Sequence, residues 1–216
     1  MSEIKLSPKQ ERIRDLNQGA YLVLASAGSG KTRVLTERIK RLSETTDGKI
    51  LSITFTNKAA AEIRERLGSS EKITKNVFVG TFHSFCQSIL ELRFKLLGYS
   101  RMPHIFEDDS DRLELIQQAI NSVPYFTEIY DNLEPKKRNE YKYKALQFIS
   151  TVKRELFSAE ELAQSSENIE FQYLFETYQD LLKSNNAIDF DDLIRLIYEL
   201  FTNNESVANL YRKAYS

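Results

Sequence analysis

Hydrophobic positions in the first 98 residues alternate between short apolar runs and helical periods. The apolar runs at 21–24, 50–55 and 77–80 predict buried strands. Apolar residues spaced by three or four over 34–42 and 59–67 predict amphipathic helices between those strands. Strands that alternate with helices are typical of an α/β fold with a parallel sheet.

The second half of the chain has a different pattern. All seven glycines lie at or before Gly98, and the rest is rich in helix-forming residues. Apolar residues follow helical spacing over 113–120, 171–182 and 190–201. We therefore expect residues 99–216 to be helical throughout.

Charge divides at the same position. Residues 1–98 carry 17 Lys/Arg and 10 Asp/Glu, a net charge of +7, whereas residues 99–216 have a net charge of −8. This distribution suggests that the first half binds an anion, although solvated charged faces would give the same count.

Composition excludes several classes of protein. One cysteine, Cys86, and two histidines rule out an internal disulfide framework and a multi-histidine metal site. No apolar run approaches the about 20 residues that a bilayer span needs. The N-terminus has no apolar signal core, so we expect a cytoplasmic protein.

The strongest chemical signal is a phosphate-binding loop (P-loop) between an apolar run and a helical period. Its residues are Ala25, Ser26, Ala27, Gly28, Ser29, Gly30, Lys31 and Thr32, with Ala25 where the pattern usually has glycine. The glycines let backbone N–H groups surround a phosphate. Lys31 can reach the β- and γ-phosphates, and the Thr32 hydroxyl can bind Mg²⁺. The sequence therefore predicts a site for a nucleotide with Mg²⁺.

Four further segments accompany the P-loop: LSPKQ at 6–10, ITFTNKAAAEIRERL at 53–67, VGTFHSF at 79–85 and AIDFDDLI at 187–194. In this order the five motifs resemble the N-terminal part of the UvrD/Rep/PcrA family of superfamily 1 DNA helicases. The resemblance extends over nearly the whole chain. Five ordered motifs are far more specific than any one of them.

The resemblance implies roles for individual residues. ATP and Mg²⁺ are the expected cofactors, with Gln10 at the adenine edge and Arg33 near the nucleotide; exposed helix residues are the alternative for both. The expected DNA-binding residues are Phe55, Thr56, Asn57, Lys58, Thr81, Phe82 and His83. They follow predicted strands, at the sheet edge where ligands bind in α/β folds. Core packing is the alternative for Phe55, and a structural histidine is the alternative for His83.

The resemblance also implies a fold. We expect a partial RecA-like P-loop domain built from 1–90 and about 186–216, with a helical 1B-type insertion over about 91–185. Asp189, with its neighbours at 191 and 192, is not assigned to a metal. Asp189 is predicted to cap a helix, and no apolar strand precedes the cluster.

The implied function is the ATP- and single-stranded-DNA-binding part of a 3′-to-5′ helicase in DNA repair or replication. Its partners would be single-stranded DNA and duplex junctions. The acidic DE-x-Q strand and the second RecA-like domain of the family are expected beyond residue 216, so this chain alone should not unwind DNA. The alternatives are another P-loop enzyme, such as a small-molecule kinase, and a non-enzymatic, nucleotide-regulated DNA-binding domain.

Overall fold

The computed structural model describes residues 5–155 and 169–215. They form two compact units. The first, called the α/β unit below, contains residues 5–85 and 205–215. The second, called the helical unit, contains residues 86–155 and 169–204.

The α/β unit contains a small parallel sheet with helices packed against it. Its strands are β1 (Ile50–Thr54) and β2 (Val77–Thr81). Thr54 pairs with Thr81, so both strands end at the same edge of the sheet. The helices before and between the strands are α1 (Pro8–Arg14), α2 (Lys31–Thr45), α3 (Asn57–Leu67) and α4 (Glu71–Asn76).

The core of this unit follows the predicted periodicity. Helix α2 buries Val34 and Ile39, but Leu35 is exposed. Five of the buried apolar residues form one cluster: Ile39, Ala60, Ile63, Leu67 and Val79. Helix α3 ends at Gly68, whose φ of 73° is a left-handed conformation that glycine adopts without steric cost.

The predicted strand at 21–24 is not a strand in the structure. Leu22 is 84% exposed and Leu24 is 85% exposed. Among the described residues, none pairs with this segment. An apolar run favours burial, but a strand also needs a neighbour for its backbone hydrogen bonds. The sheet of the α/β unit therefore has two strands in the described part of the chain, where we predicted three.

The helical unit is built mainly from long helices. Helix α5 (Phe82–Arg93) contains the boundary between the units in the sequence, and a 3₁₀ helix (Phe94–Leu97) follows it. The others are α6 (Asp109–Ser122), α7 (Pro124–Asp131), α8 (Pro135–Glu155), α9 (Ile169–Ser184) and α10 (Asp192–Asn203). Their apolar faces meet in a core that includes Ile116, Ile120, Phe126, Ile149 and Leu174. Helix α11 (Glu205–Ala214) belongs to the α/β unit.

Two short strands correct the prediction of a second half made only of helices. Strand β3 (His104–Phe106) pairs in parallel with β4 (Ala187–Asp189). Strand β4 is buried and Asp189 is its last residue, so the acidic cluster does begin at the end of a strand. Residues 187–204 belong to the helical unit. No helix in the described ranges is long and apolar enough to cross a membrane.

Candidate nucleotide and DNA site

The P-loop passes directly into helix α2. Gly28 and Gly30 have φ values of 75° and 82°, and Gly30 is the N-cap of the helix. The first helical hydrogen bond joins the Val34 N–H to the Gly30 carbonyl, 3.0 Å apart. The three N–H groups between these residues therefore precede the helical bonding pattern, which is the arrangement that binds anions.

The Lys31 side chain folds back across the loop. Its ammonium group donates hydrogen bonds to the carbonyls of Ala25, at 2.9 Å, and Ser26, at 2.7 Å. The Ser29 hydroxyl donates to the same Ser26 carbonyl at 2.7 Å. These bonds hold the ammonium charge at the loop, where it can act on a phosphate.

Gln10 lies against the P-loop although it is 19 positions away in sequence. Its Nε2 donates to the Ser29 carbonyl at 3.0 Å, and its Oε1 accepts from the Ser7 N–H at 2.8 Å. A Cβ added to Gly30 would lie 2.9 Å from Gln10 Nε2. The left-handed backbone therefore favours glycine at position 30, and a Cβ there would displace the Gln10 amide.

A cleft of about 920 Å³ joins three of the predicted motifs within the α/β unit. Its lining includes Gln10, Ser29, Lys31, Thr32, Phe55 and Thr56. Ala25 also lines it. The other predicted nucleotide residues, Ser26, Ala27, Gly28, Gly30 and Arg33, are not among the lining residues, and neither are Asn57 and Lys58. Segments that are distant in sequence thus share one cavity beside the start of α2.

The end of strand β1 presents an exposed aromatic ring. Phe55 is fully exposed, and Lys58 is exposed three residues later. Thr56 is the N-cap of α3, because its side chain accepts a hydrogen bond from the Ala59 N–H at 3.2 Å. Because Phe55 is exposed, the core-packing alternative for this residue is wrong.

The end of strand β2 is fixed by a tight turn into α5. The Ser84 hydroxyl accepts from the Thr81 N–H at 2.7 Å, and the Ser84 N–H donates to Thr81 Oγ1 at 3.1 Å. A Cβ on Gly80 would lie 2.6 Å from Ser84 Oγ, so glycine permits this closure. Phe82 is 48% exposed, and His83 is half-buried.

The acidic cluster after β4 is neutralised by buried cations. Lys153 Nζ lies 2.7 Å from Asp189 and 2.9 Å from Asp192, and Arg112 Nη2 lies 2.9 Å from Asp191. The N-cap of α10 is Asp191 and not Asp189 as predicted, although the Asp189 carboxylate does accept a hydrogen bond from the Asp192 N–H at 3.1 Å. Burial by itself raises the pKa of Asp189, but Lys153, Arg112 and the hydrogen bonds outweigh it and hold that pKa below its ordinary value.

These contacts make the aspartates structural. Each carboxylate is held by cations inside the helical unit. In the described part of the chain, no group of three or more His, Cys, Asp or Glu is placed to hold a metal ion. Thr32 at the start of α2 is the predicted Mg²⁺ ligand, and it reaches the cleft.

Sequence reasoning missed the residues that support the site. Ser84 follows Thr81 at the spacing of a helix cap, which is a usable local signal. Lys153 and Arg112 gave no such signal, because they are 36 and 79 positions away from their aspartate partners.

Comparison with known proteins supplies the family context. The sequence matches the family described as the UvrD/REP helicase N-terminal domain over residues 6–216. The ATP-dependent DNA helicase PcrA of Bacillus subtilis is 35% identical over 217 residues, which cover 97% of this chain and 28% of that protein. The ATP-dependent DNA helicase Rep of Escherichia coli is 33% identical over 215 residues, which cover 94% and 30%.

A third relative is named a probable DNA helicase II homolog. It comes from Mycoplasma capricolum and is 36% identical over 200 residues, which cover 89% of this chain and 27% of that protein. The chain thus spans less than a third of the length of each of these relatives.

Proposed function

Because the chain belongs to the UvrD/REP helicase N-terminal domain family, as its five motifs predicted, we propose that it is the ATP- and single-stranded-DNA-binding N-terminal part of an ATP-dependent DNA helicase. The relatives' names support this proposal, since they are ATP-dependent DNA helicases. The observation that carries it is the cleft that brings Gln10, Lys31 and Phe55 together.

ATP binds with its phosphates at the P-loop in this proposal. The left-handed Gly28 and Gly30 and the free N–H groups at the start of α2 suit a phosphate, and Lys31 supplies a positive charge. Mg²⁺ would be held by the Thr32 hydroxyl, and it would offset the charge of the phosphate oxygens. Gln10 contacts the adenine edge from α1.

Single-stranded DNA binds at the two strand ends. Fully exposed Phe55 can stack on a base, and Lys58 can pair with a phosphate. Since Thr54 pairs with Thr81, the segment from Thr81 to His83 follows the neighbouring strand at the same edge. Both strand ends therefore offer aromatic and polar groups to one DNA strand.

The two units correspond to parts of a helicase core. The α/β unit is part of the first RecA-like domain, and the helical unit is the 1B-type insertion. In the whole protein the helicase would move in the 3′-to-5′ direction along single-stranded DNA, at duplex junctions, as ATP binds and is hydrolysed. Repair or replication is the process that this activity would serve.

Hydrolysis needs groups that the described residues do not supply. Lys31 and Thr32 provide two parts of a phosphoryl-transfer site, but Asp189, Asp191 and Asp192 are committed to Lys153 and Arg112. An arginine finger is worth about 10³–10⁵ in rate, and a second domain would provide it in the whole protein. We therefore propose that the 216-residue chain alone neither unwinds DNA nor hydrolyses ATP with DNA stimulation.

DNA binding can be tested by the fluorescence anisotropy of a labelled oligothymidine. Phe55→Ala should weaken binding about 5- to 150-fold, which corresponds to the about 1–3 kcal/mol of one base stack. Tyr173→Ala is the control, because Tyr173 is also an exposed aromatic residue but lies in the helical unit. Affinity should fall as salt rises. Equal affinity of the Phe55→Ala variant and the unaltered chain would refute this surface.

A further inference from the structure

Two arginines of α2 bind the last residue of α1 and the segment that follows it. Arg38 Nη1 donates to the carbonyls of Arg14, at 3.1 Å, and Leu16, at 2.5 Å. Arg41 donates to the same two carbonyls, at 3.2 Å each, and lies 3.6 Å from the Asp15 carboxylate. The last carbonyls of a helix lack helical partners and carry partial negative charge, so guanidinium groups suit them.

This contact fixes the position of Gln10. Helix α1 has seven residues and is therefore about 10 Å long, so an anchor at its C-terminal end also places its first turn. Gln10 lies in that turn and reaches the Ser29 carbonyl at 3.0 Å. Helix α2 thus carries the P-loop at its start and, through the two arginines, holds the helix that covers the loop.

The partners of the Gln10 amide set its orientation. Its oxygen accepts from the Ser7 N–H and its nitrogen donates to the Ser29 carbonyl, so a flipped amide would lose both bonds. A glutamine amide has two donor hydrogens and two acceptor lone pairs, which leaves one of each. Adenine offers N7 as an acceptor and N6–H as a donor, whereas guanine offers two acceptors there. The fixed amide therefore matches adenine while still bound to Ser29.

We propose that Arg38, with Arg41, is a positioning residue that makes Gln10 selective for adenine over guanine. The proposal rests on the proposed nucleotide binding at the P-loop. Arg38 itself lines the cleft, but its guanidinium group is bound to the carbonyls of Arg14 and Leu16. Its loss should therefore change recognition of the base and leave recognition of the phosphates intact.

The test is calorimetric titration of the chain with Mg-ATP, Mg-GTP and Mg-tripolyphosphate, the last of which has no base. Arg38→Met should bind ATP about tenfold more weakly and lose the preference for ATP over GTP. Its affinity for tripolyphosphate should stay within about twofold of the unaltered chain. Lys40→Met is the matched control, since Lys40 lies on the same helix and pairs with Glu37 at the surface. It should match the unaltered chain with all three ligands.

A double-mutant cycle tests whether Arg38 acts through Gln10. Adding Arg38→Met to Gln10→Ala should weaken ATP binding no further, because both changes remove the same contact. Arg38→Lys keeps the positive charge but lacks the planar guanidinium group. Its ATP affinity should lie between those of the unaltered chain and Arg38→Met. It decides the question if Arg38→Met does not fold.

Three results would overturn the proposal. They are equal losses of ATP and tripolyphosphate affinity, a retained ATP preference, or additive effects with Gln10→Ala. If the unaltered chain binds tripolyphosphate but does not prefer ATP, this proposal fails and the P-loop assignment stands. If it binds none of the ligands, both fail.

Discussion

Replacing Lys153 with methionine probes the buried ion network of the helical unit. The Lys153 side chain is fully buried, and its ammonium group contacts Asp189 and Asp192 at 2.7 and 2.9 Å. It also lies 5.1 Å from the centre of the Tyr178 ring. Methionine has a similar length, so the substitution removes the charge and leaves little cavity.

The expected cost follows from the charges that remain. Removing one partner of a buried ion pair typically costs about 3–5 kcal/mol, because the other charge stays buried. Here Arg112 still lies 3.5 Å from Asp189, and Arg195 lies 3.0 Å from Asp192. These cations partly neutralise the carboxylates, so we expect Lys153→Met to lower the free energy of unfolding by about 3 kcal/mol, the lower end of that range.

A urea titration measures this cost for the helical unit when unfolding is monitored by hydrogen exchange in peptides of α8. The midpoint should fall by about 1–3 M urea, from a typical dependence of about 1–3 kcal/mol per molar. Lys144→Met is the control, because Lys144 is exposed on the same helix and its loss should cost less than about 0.5 kcal/mol. A loss for Lys153→Met as small as that of the control would refute the reasoning.

Further predictions concern the P-loop, pH and a helix cap. Gly30→Ala should destabilise the chain more than Gly28→Ala in thermal unfolding: both glycines have a left-handed φ, but only a Cβ at Gly30 would meet Gln10. The lowered pKa of Asp189 contributes stability that is fully present above the ordinary value of 3.8 and is lost as pH falls through the folded-state pKa. The unfolding free energy from urea titrations should therefore fall below about pH 4, and a flat profile there would contradict this assignment. Thr56→Val should cost about 1 kcal/mol in urea unfolding, because α3 loses its capping hydrogen bond.

Local signals in the sequence predicted much of the α/β unit. Strands β1 and β2 follow their apolar runs, and α3 ends at Leu67, where the helical period ends. The segment 21–24 has the same kind of apolar run but no neighbouring strand in the described residues. Sequence pattern indicates a preference for burial, whereas strand pairing depends on which other segments are present.

The sequence pattern did not predict which charged residues contact each other across long distances in the chain. The acidic cluster predicted a helix start, and Asp189 does accept from the Asp192 N–H. Its partners Lys153 and Arg112 are buried, whereas Lys and Arg are mostly exposed in proteins, so residue type alone does not predict these contacts. The same holds for Arg38, whose contacts with the end of α1 depend on how the two helices pack.

The central claim is that the P-loop of this chain binds a nucleotide, and titration with Mg-ATP tests it most directly. The unaltered chain should bind Mg-ATP saturably at one site, and Lys40→Ala should match it, because Lys40 lies on the surface of α2. Lys31→Ala should bind at least about tenfold more weakly, since it removes the charge held at the loop. Equal affinity of the Lys31→Ala variant and the unaltered chain would contradict the account.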